Sequence, residues 1–477
     1  MTTKTFMQWH RRLAWIGGIA ILCWAVSGVL HPLMAWFGPQ GAKMFPPSAT
    51  VPDNALRQVA EIVASNVFAE ARVVKVVPSA NGAMLQVAES EDKPRRYFAL
   101  DSGSELAGQD ERQARWLAAY YTGRDQGDIA DIQFQTEFNS EYPSVNRLLP
   151  VYRVTFAGDD QLTAFIHTET PALASLNNRT KAAMQSVFVQ LHTWAWLDAF
   201  GAGRVLLIAL FMVNLFLLAG AGLGLVLLLP SRKVPDGKRR WHRLLGYGIW
   251  LPLLAWSLSG FYHLIQSEYV EPESGLSLGQ PMVFQGDAGI QNTASAIGKP
   301  VTAIALVPTE SGWRYRVELP AQAEAVDREA RFAGRAQSGG SQYLDAQGEA
   351  IELDDATYAR WLANQFKPGA EIDSVTPVYR FGPSYDFRNK RLPVWQVTLN
   401  DDEATELFVD PASGVLVDQS RRIDRIERLS FALLHKWNFL TGLTGRQGRD
   451  ALIVVTLLIS IGMTVLGFMM LLRHRAR

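Results

Sequence analysis

The sequence predicts a membrane α+β protein: a four-helix transmembrane bundle made from two parallel repeats, carrying two folded α+β domains outside the membrane. Three observations predict it. Four apolar stretches reach the length that crosses a bilayer, about 20 residues at ~1.5 Å each. Basic residues gather at the ends of those stretches that should face the cytoplasm. The chain also matches itself over most of its length at a nearly constant offset.

Composition agrees with a chain that is part bilayer and part aqueous. The 477 residues are 48% hydrophobic, with 46 Lys+Arg against 46 Asp+Glu, so there is no basic excess for nucleic acid and no net charge to hold a chain disordered. One cysteine, Cys23, excludes an intrachain disulfide, a thiolate iron–sulfur cluster, a Cys-rich zinc site and a CxxC redox pair. Redox chemistry would therefore fall to histidines or a cofactor. The sequence holds no P-loop, no GxGxxG after a strand, no HExxH and no GxSxG, so direct hydride transfer from a nicotinamide is not expected.

In chain order, residues 1–37 hold the first span, Leu13–Phe37. Lys4, Arg11 and Arg12 before it imitate a signal peptide, but the apolar run is too long and no small-x-small site follows, so it reads as a retained anchor. Residues 38–203 form the first outside domain with a terminal helix, and 204–230 the second span, Val205–Leu229. The 231–243 link carries Arg232, Lys233, Lys238, Arg239, Arg240 and Arg243 and is cytoplasmic. The third span, Leu244–Ile265, lies in 244–266; 267–449 is the second outside domain with its own terminal helix; 450–477 holds the fourth span, Ala451–Leu472, and a basic tail with Arg473, Arg475 and Arg477. Within the outside domains, Ala55–Val67 and Trp361 to Phe366 read as helices, and Ala71–Val77, Met84–Ala88, Val151–Phe156, Trp313–Leu319 and Val394–Leu399 as strands. Arg335–Gly340 reads as a loop.

Self-comparison aligns His10-Arg11-Arg12-Leu13, Trp24, Ser27-Gly28 and His31 with His242-Arg243-Leu244-Leu245, Trp256, Ser259-Gly260 and His263 at an offset of 232. Farther on, Leu149-Pro150-Val151-Tyr152 aligns with Leu392-Pro393-Val394-Trp395, and Leu191-His192-x-Trp194 with Leu434-His435-x-Trp437, at an offset of 243. Each copy is a span, an outside domain, an outside helix ending in Leu-His-x-Trp, and a second span. Both copies start inside, so they are parallel repeats about an axis along the membrane normal.

Six of the eight histidines fall into three matched pairs, His10/His242, His31/His263 and His192/His435. His10 and His31 are 21 residues apart, about 31 Å on a straight helix and on one broad face of it. Neutral imidazole is a good axial ligand for haem iron, and a four-helix bundle can set two imidazoles on opposite sides of a porphyrin. Gly28 and Gly260, three residues before His31 and His263, leave room for a flat macrocycle, and Ser27 and Ser259 at i−4 can orient those imidazoles. Anchoring at headgroups explains a single interfacial histidine; three matched pairs at both faces favour ligation.

Other polar residues read more plainly. His167, beside Glu169, reads as a surface residue, and His474 as part of the basic tail. Asp401-Asp402-Glu403 has the composition of a cation site without a complete ligand loop and reads as an acidic hairpin tip. Trp24, Trp256, Trp194 and Trp437 read as belt or core aromatics, and Asn214 as a bond to a neighbouring helix. Arg204 and Arg449 at the span entrances read as snorkelling cations, with an anion-holding role as the alternative. A transporter is disfavoured, because the spans lack broken helices and paired midplane charges.

With these motifs in view, the His-Arg-x-Leu start of spans one and three, their Ser-Gly-x-x-His ends, the Leu-His-x-Trp approach to spans two and four and the helix-plus-sheet outside domains, the chain resembles the PepSY-associated transmembrane proteins of bacteria. The resemblance covers nearly the whole chain, by pattern in the outside domains, which it identifies as periplasmic PepSY-like domains. It implies an inner-membrane ferric-siderophore reductase holding two or more b-type haems. His10 and His242 would serve an inner haem, and His31, His263, His192 and His435 the outer side, their pairing left open by symmetry. Its partners would be membrane lipid, a ferric siderophore or other ferric chelate, and, since no flavin domain is fused, a quinol or a separate reductase as donor. The competing expectation is a non-catalytic, membrane-anchored PepSY binding or inhibitory module.

Overall fold

The computed structural model describes residues 3–48, 51–66, 68–229, 236–270, 276–284, 300–320, 339–382 and 384–475. The α-helices among them are α1 (Thr3–Phe37), α2 (Ala55–Ser65), α3 (Gln109–Thr122), α4 (Arg179–His192), α5 (Ala202–Leu228), α6 (Gly237–Tyr269), α7 (Asp355–Phe366), α8 (Arg422–Ser430) and α9 (Thr441–Arg475). They belong to two compact units. A helical unit comprises Met1–Gly38, Thr180–Pro272 and Ile423–Arg477, and a sheet unit comprises Pro39–Arg179 and Glu273–Arg422.

Four helices of the helical unit, α1, α5, α6 and most of α9, are long and apolar enough to cross a membrane. α1 packs against α5 and α9, and α6 packs against the same two, so the four close into a ring in the order α1, α5, α6, α9. Ile21, Leu215, Leu218, Ile249, Leu253 and Leu457 meet at its centre. Glycine permits the close approach: a Cβ at Gly17 would fall 2.7 Å from Leu218, and one at Gly18 2.5 Å from the Phe468 ring. Buried serines satisfy themselves on the backbone, as Ser257 does on the Leu253 carbonyl at 2.7 Å and Ser460 on that of Thr456 at 2.8 Å. Asn214 bonds no helix through its Oδ1, which is buried against Gly17 with no hydrogen-bond partner among the described residues.

In the sheet unit the segments Pro39–Arg179 and Glu273–Arg422, read from the sequence as parts of two separate outside domains, share one antiparallel sheet of seven strands. Its order is Ala350–Ile351, Ser341–Leu344, Gly312–Glu318, Ala303–Thr309, Val73–Ser79, Gly82–Ala88 and Arg96–Ala99. The join is the pairing of Ala305 with Lys75 and Leu306 with Val74. α2 covers one face, where Leu56, Val59 and Val63 pack with Leu85, Phe98 and Tyr315. Two four-stranded sheets with the same order and a two-stranded pair, Phe68–Ala71 with Met282–Phe284, are the other sheets among the described residues. Of the four-stranded sheets, one runs Ile129–Gln135, Val151–Phe156, Thr163–His167, Ala172–Asn177 under α3, and the other Ile372–Val378, Val394–Leu399, Glu406–Asp410, Val415–Ser420 under α7.

The strands expected at Val151–Phe156 and Val394–Leu399 form with those bounds. The run expected at Ala71–Val77 is interrupted, since Phe68–Ala71 and Val73–Ser79 pair with different partners. The helix expected from Trp361 begins earlier, at Asp355, because the Asp354 carboxylate accepts the Thr357 N–H at 2.7 Å and caps it. Residues 335–338 of the expected loop, and Arg232 and Lys233 of the basic link, lie outside the described residues.

Candidate functional site

Two pairs of histidines from opposite halves of the chain meet inside the helical unit. Near the start of α1 and α6, the His10 and His242 rings lie 6.2 Å apart, centre to centre, at 67°. The His242 Nδ1 sits 3.0 Å from the Met463 carbonyl. A carbonyl only accepts, so Nδ1 carries the proton and Nε2 keeps its lone pair. His10 Nδ1 is buried with no hydrogen-bond partner among the described residues. Both rings open onto a cavity of about 430 Å³ between the helices, within the range of small-molecule and cofactor sites. Gly222 and Gly467 form its walls beside the rings: a Cβ would lie 3.7 Å from His10 Cε1 and 3.3 Å from His242 Cε1. Arg11, Arg239 and Arg243 also line it.

The second meeting is between His192, at the end of α4, and His435, at the end of a π turn (Phe431–His435) that follows α8. Their rings are 6.3 Å apart at 86°. Phe188 stacks on His192 at 4.7 Å and Phe431 on His435 at 4.4 Å. Trp24 Nε1 donates to the His192 carbonyl at 3.1 Å and Trp256 Nε1 to that of His435 at 3.2 Å. Two residues on, Trp194 and Trp437 adopt left-handed backbone, φ 55° and 52°, a conformation a bulky residue takes only when its surroundings impose it. Here each indole is stacked, Trp194 on Trp24 and Trp437 on Trp256. The four tryptophans are thus clamps on the histidine-bearing turns.

Ser27 and Ser259 serve histidines other than those expected. Ser27 Oγ is 2.9 Å from His192 Nδ1, and Ser259 Oγ is 3.2 Å from His435 Nδ1. His31 and His263, one turn beyond these serines, are exposed at the unit's surface beside Phe188 and Phe431, and His263 Nδ1 meets Glu427 Oε1 at 2.7 Å. The open sides of Gly28 and Gly260 are taken by Leu457 and Met212, whose atoms would lie 3.1 and 3.2 Å from an added Cβ; these two glycines admit a neighbouring side chain, not a flat ring. Arg204 is held by Asp198 at 3.0 Å and Glu268 at 3.2 Å, and Arg449 by Asp450 at 2.6 Å.

The sheet unit holds the remaining polar candidates. His167, expected at the surface, is 1% exposed. Arg95 Nη2 lies 3.2 Å from its Nε2, and its Nδ1 lies 2.7 Å from Thr170 Oγ1 and 3.3 Å from the Thr170 backbone nitrogen. Burial, then the Arg95 charge, holds this imidazole well below its usual pKa, so it is neutral. Glu169 next to it is also buried; burial would raise its carboxyl, but Arg391 and Lys75 overcome that and hold it well below the usual range. Arg391 reaches Glu169 and also Asp410 at 3.1 Å, while Lys75 reaches Glu169 at 2.5 Å. This polar cluster ties the two segments of the sheet unit together. Asp401 caps a turn, accepting from the Thr405 N–H at 2.8 Å and from Lys367 at 3.3 Å. The side chain of His474 lies outside the described residues.

A family model described as PepSY-associated TM region matches residues 69–475. The match takes in His192, His242, His263 and His435; His10, Ser27 and His31 on α1 precede it. No curated protein matches the chain.

Proposed function

This chain belongs to the family of PepSY-associated TM proteins, and we propose that it is an inner-membrane b-type haem protein that moves electrons across the bilayer to reduce a periplasmic ferric chelate, such as a siderophore complex, for iron release. One observation carries the reading: two histidine pairs with ring centres 6.2 and 6.3 Å apart. Two metal–imidazole bonds of about 2 Å, with roughly 1 Å more from each nitrogen to its ring centre, set the rings of a bis-histidine site about 6 Å apart.

Other features support the same reading. The inner pair faces a cavity of about 430 Å³, the proton on His242 is fixed away from Nε2 by Met463, and Gly222 and Gly467 keep the walls beside the rings free of side chains. Arg11, Arg239 and Arg243 suit acidic groups at the edge of a macrocycle. A bound haem supplies one-electron exchange between Fe(II) and Fe(III). The chain's own part is to hold neutral imidazoles in one orientation, to keep water from the site with apolar walls such as Leu253 and Trp250, and to space the two sites. His10 and Ser27, which marks the outer pair, are 17 residues apart on α1, about 25 Å along its axis, so two sites divide a distance that one would have to cross alone. In this assignment the outer ligands are His192 and His435, with His31 and His263 outside the coordination.

The basic flanks favour cytoplasmic termini, with residues 38–203 and 267–449 in the periplasm. The donor is a quinol or a separate reductase. The chelate's iron, once reduced, binds hard oxygen ligands less tightly and exchanges more readily. The test is to reduce the purified protein chemically under nitrogen, add ferric hydroxamate and catecholate complexes, and follow reoxidation of its absorption bands together with Fe(II) capture by a chromogenic chelator. Reoxidation matched by Fe(II) supports a reductase. A protein that stays reduced with every ferric complex but reoxidises with a quinone is an electron carrier of another kind.

A further inference from the structure

The serines that touch His192 and His435 have a geometry that fixes which ring nitrogen bears the proton. Ser27 is fully buried, and its hydroxyl lies 2.8 Å from the Cys23 carbonyl and 3.2 Å from that of Trp24, both of which can only accept. A serine has one hydroxyl proton, and those carbonyls take it. The 2.9 Å contact with His192 Nδ1 must then run the other way, Nδ1–H donating to Ser27 Oγ. Ser259, 1% exposed, repeats the arrangement with one carbonyl, that of Trp256 at 3.3 Å, and His435 Nδ1 at 3.2 Å, and its equivalence to Ser27 assigns the same direction. The arrangement thus occurs twice, on α1 and on α6, with histidines delivered by separate segments.

We propose that Ser27 and Ser259 are positioning residues of the outer site. They hold the His192 and His435 imidazoles as Nδ1–H tautomers, leave Nε2 on each ring as the only nitrogen able to bind iron, and set how strongly each imidazole donates to it. The proposal rests on the haem reading above. A hydroxyl that accepts the Nδ1–H bond draws the proton away from the ring and makes Nε2 more electron-rich, which favours Fe(III) over Fe(II). Replacing either serine by alanine leaves a buried Nδ1–H without an acceptor, so the ring donates more weakly and the outer haem becomes easier to reduce.

Ser257 supplies the control. It lies two residues before Ser259 on α6, is 3% exposed, and among the described residues bonds the Leu253 and Leu254 carbonyls. Its truncation removes the same atom from an equally buried site on the same helix whose hydroxyl bonds main-chain carbonyls.

The experiment is a redox titration of the full-length protein in detergent, following the visible bands of the haems, with low-temperature EPR of the oxidised form. Wild type, Ser27→Ala, Ser259→Ala and Ser257→Ala are compared at equal haem content. The expected result is a more positive midpoint for one of the haems, and altered low-spin EPR g-values, in Ser27→Ala and Ser259→Ala, with Ser257→Ala matching wild type. Loss of the outer haem in the first two variants but not in Ser257→Ala supports the same role. Midpoints and g-values unchanged in Ser27→Ala and Ser259→Ala, or shifted or lost equally in all three, would overturn it. A wild-type protein without haem would instead remove the functional reading on which the proposal stands, so the two failures are distinguishable.

Discussion

The inner and outer histidine pairs share a ring spacing but are built by opposite means. At the inner pair the rings project from two long helices into a cavity where Gly222 and Gly467 leave the space beside them open, and the His242 Nδ1 bonds the Met463 carbonyl. At the outer pair short helical turns bring the rings in from elsewhere in the chain, and each ring is fixed by a serine, a stacked phenylalanine and an indole on its own carbonyl. The inner site is defined by space left open and the outer by contacts made. An open site is sensitive to added volume, and a clamped one to lost contacts.

The comparison can be broken most sharply at the ligands. His10→Ala should remove the inner haem entirely and leave the outer spectrum intact, and His192→Ala should do the reverse; a haemochrome assay with spectra of both variants checks it. Volume comes next. Gly467→Leu places a branched side chain beside His242, where even a Cβ would sit 3.3 Å from the ring, so inner haem occupancy should fall several-fold with the outer haem retained.

Burial of a histidine can be separated from pairing through His167, which lies in the sheet unit and has no ring partner among the described residues. Its folded pKa is below the unfolded value of about 6.5. As pH falls below about 6.5 the unfolded chain takes up a proton that the folded chain refuses, so stability declines with acidification. Glu169, also depressed when folded, adds a further loss as pH falls below its unfolded value of 4.5. His167→Gln should flatten the first part of that decline in denaturant melts and leave haem content unchanged. The smallest effect is expected from Trp24→Phe, which loses one indole bond to the His192 carbonyl and should cost about 1 kcal/mol, visible in a thermal melt of the outer haem bands but not of the inner.

Much of this was legible because the chain compares with itself. Matching the two copies placed His10, His242, His192 and His435 among six candidate histidines, with the pairing of the outer four left open, and the apolar runs located the four long helices. What was not legible depended on contacts between distant segments. Ser27 stands four residues before His31, the spacing at which helical side chains meet, yet its partner is His192, 165 residues away. Gly222 lies in an apolar stretch with Gly220 and Gly224, where glycine reads as helix packing, so its place beside His10 carried no separate signal. His167 precedes Thr168-Glu169-Thr170, a polar run that resembles an exposed turn; Arg391, from the other segment of the sheet unit, is what makes burial of that run tolerable. The sharing of one sheet by both segments of the sheet unit likewise rests on a pairing between Lys75 and Ala305, which alternation within a single strand does not encode.

The central claim is that two histidine pairs each hold a haem, and the most direct measurement is haem stoichiometry with a reduced-minus-oxidised absorption spectrum of the purified full-length protein, set beside His10→Ala and His435→Ala. The account expects at least two low-spin b-type haems per chain, with one lost in each variant and both lost in the double variant. A colourless wild-type protein, or a haem content and spectrum unchanged by both substitutions, would contradict it.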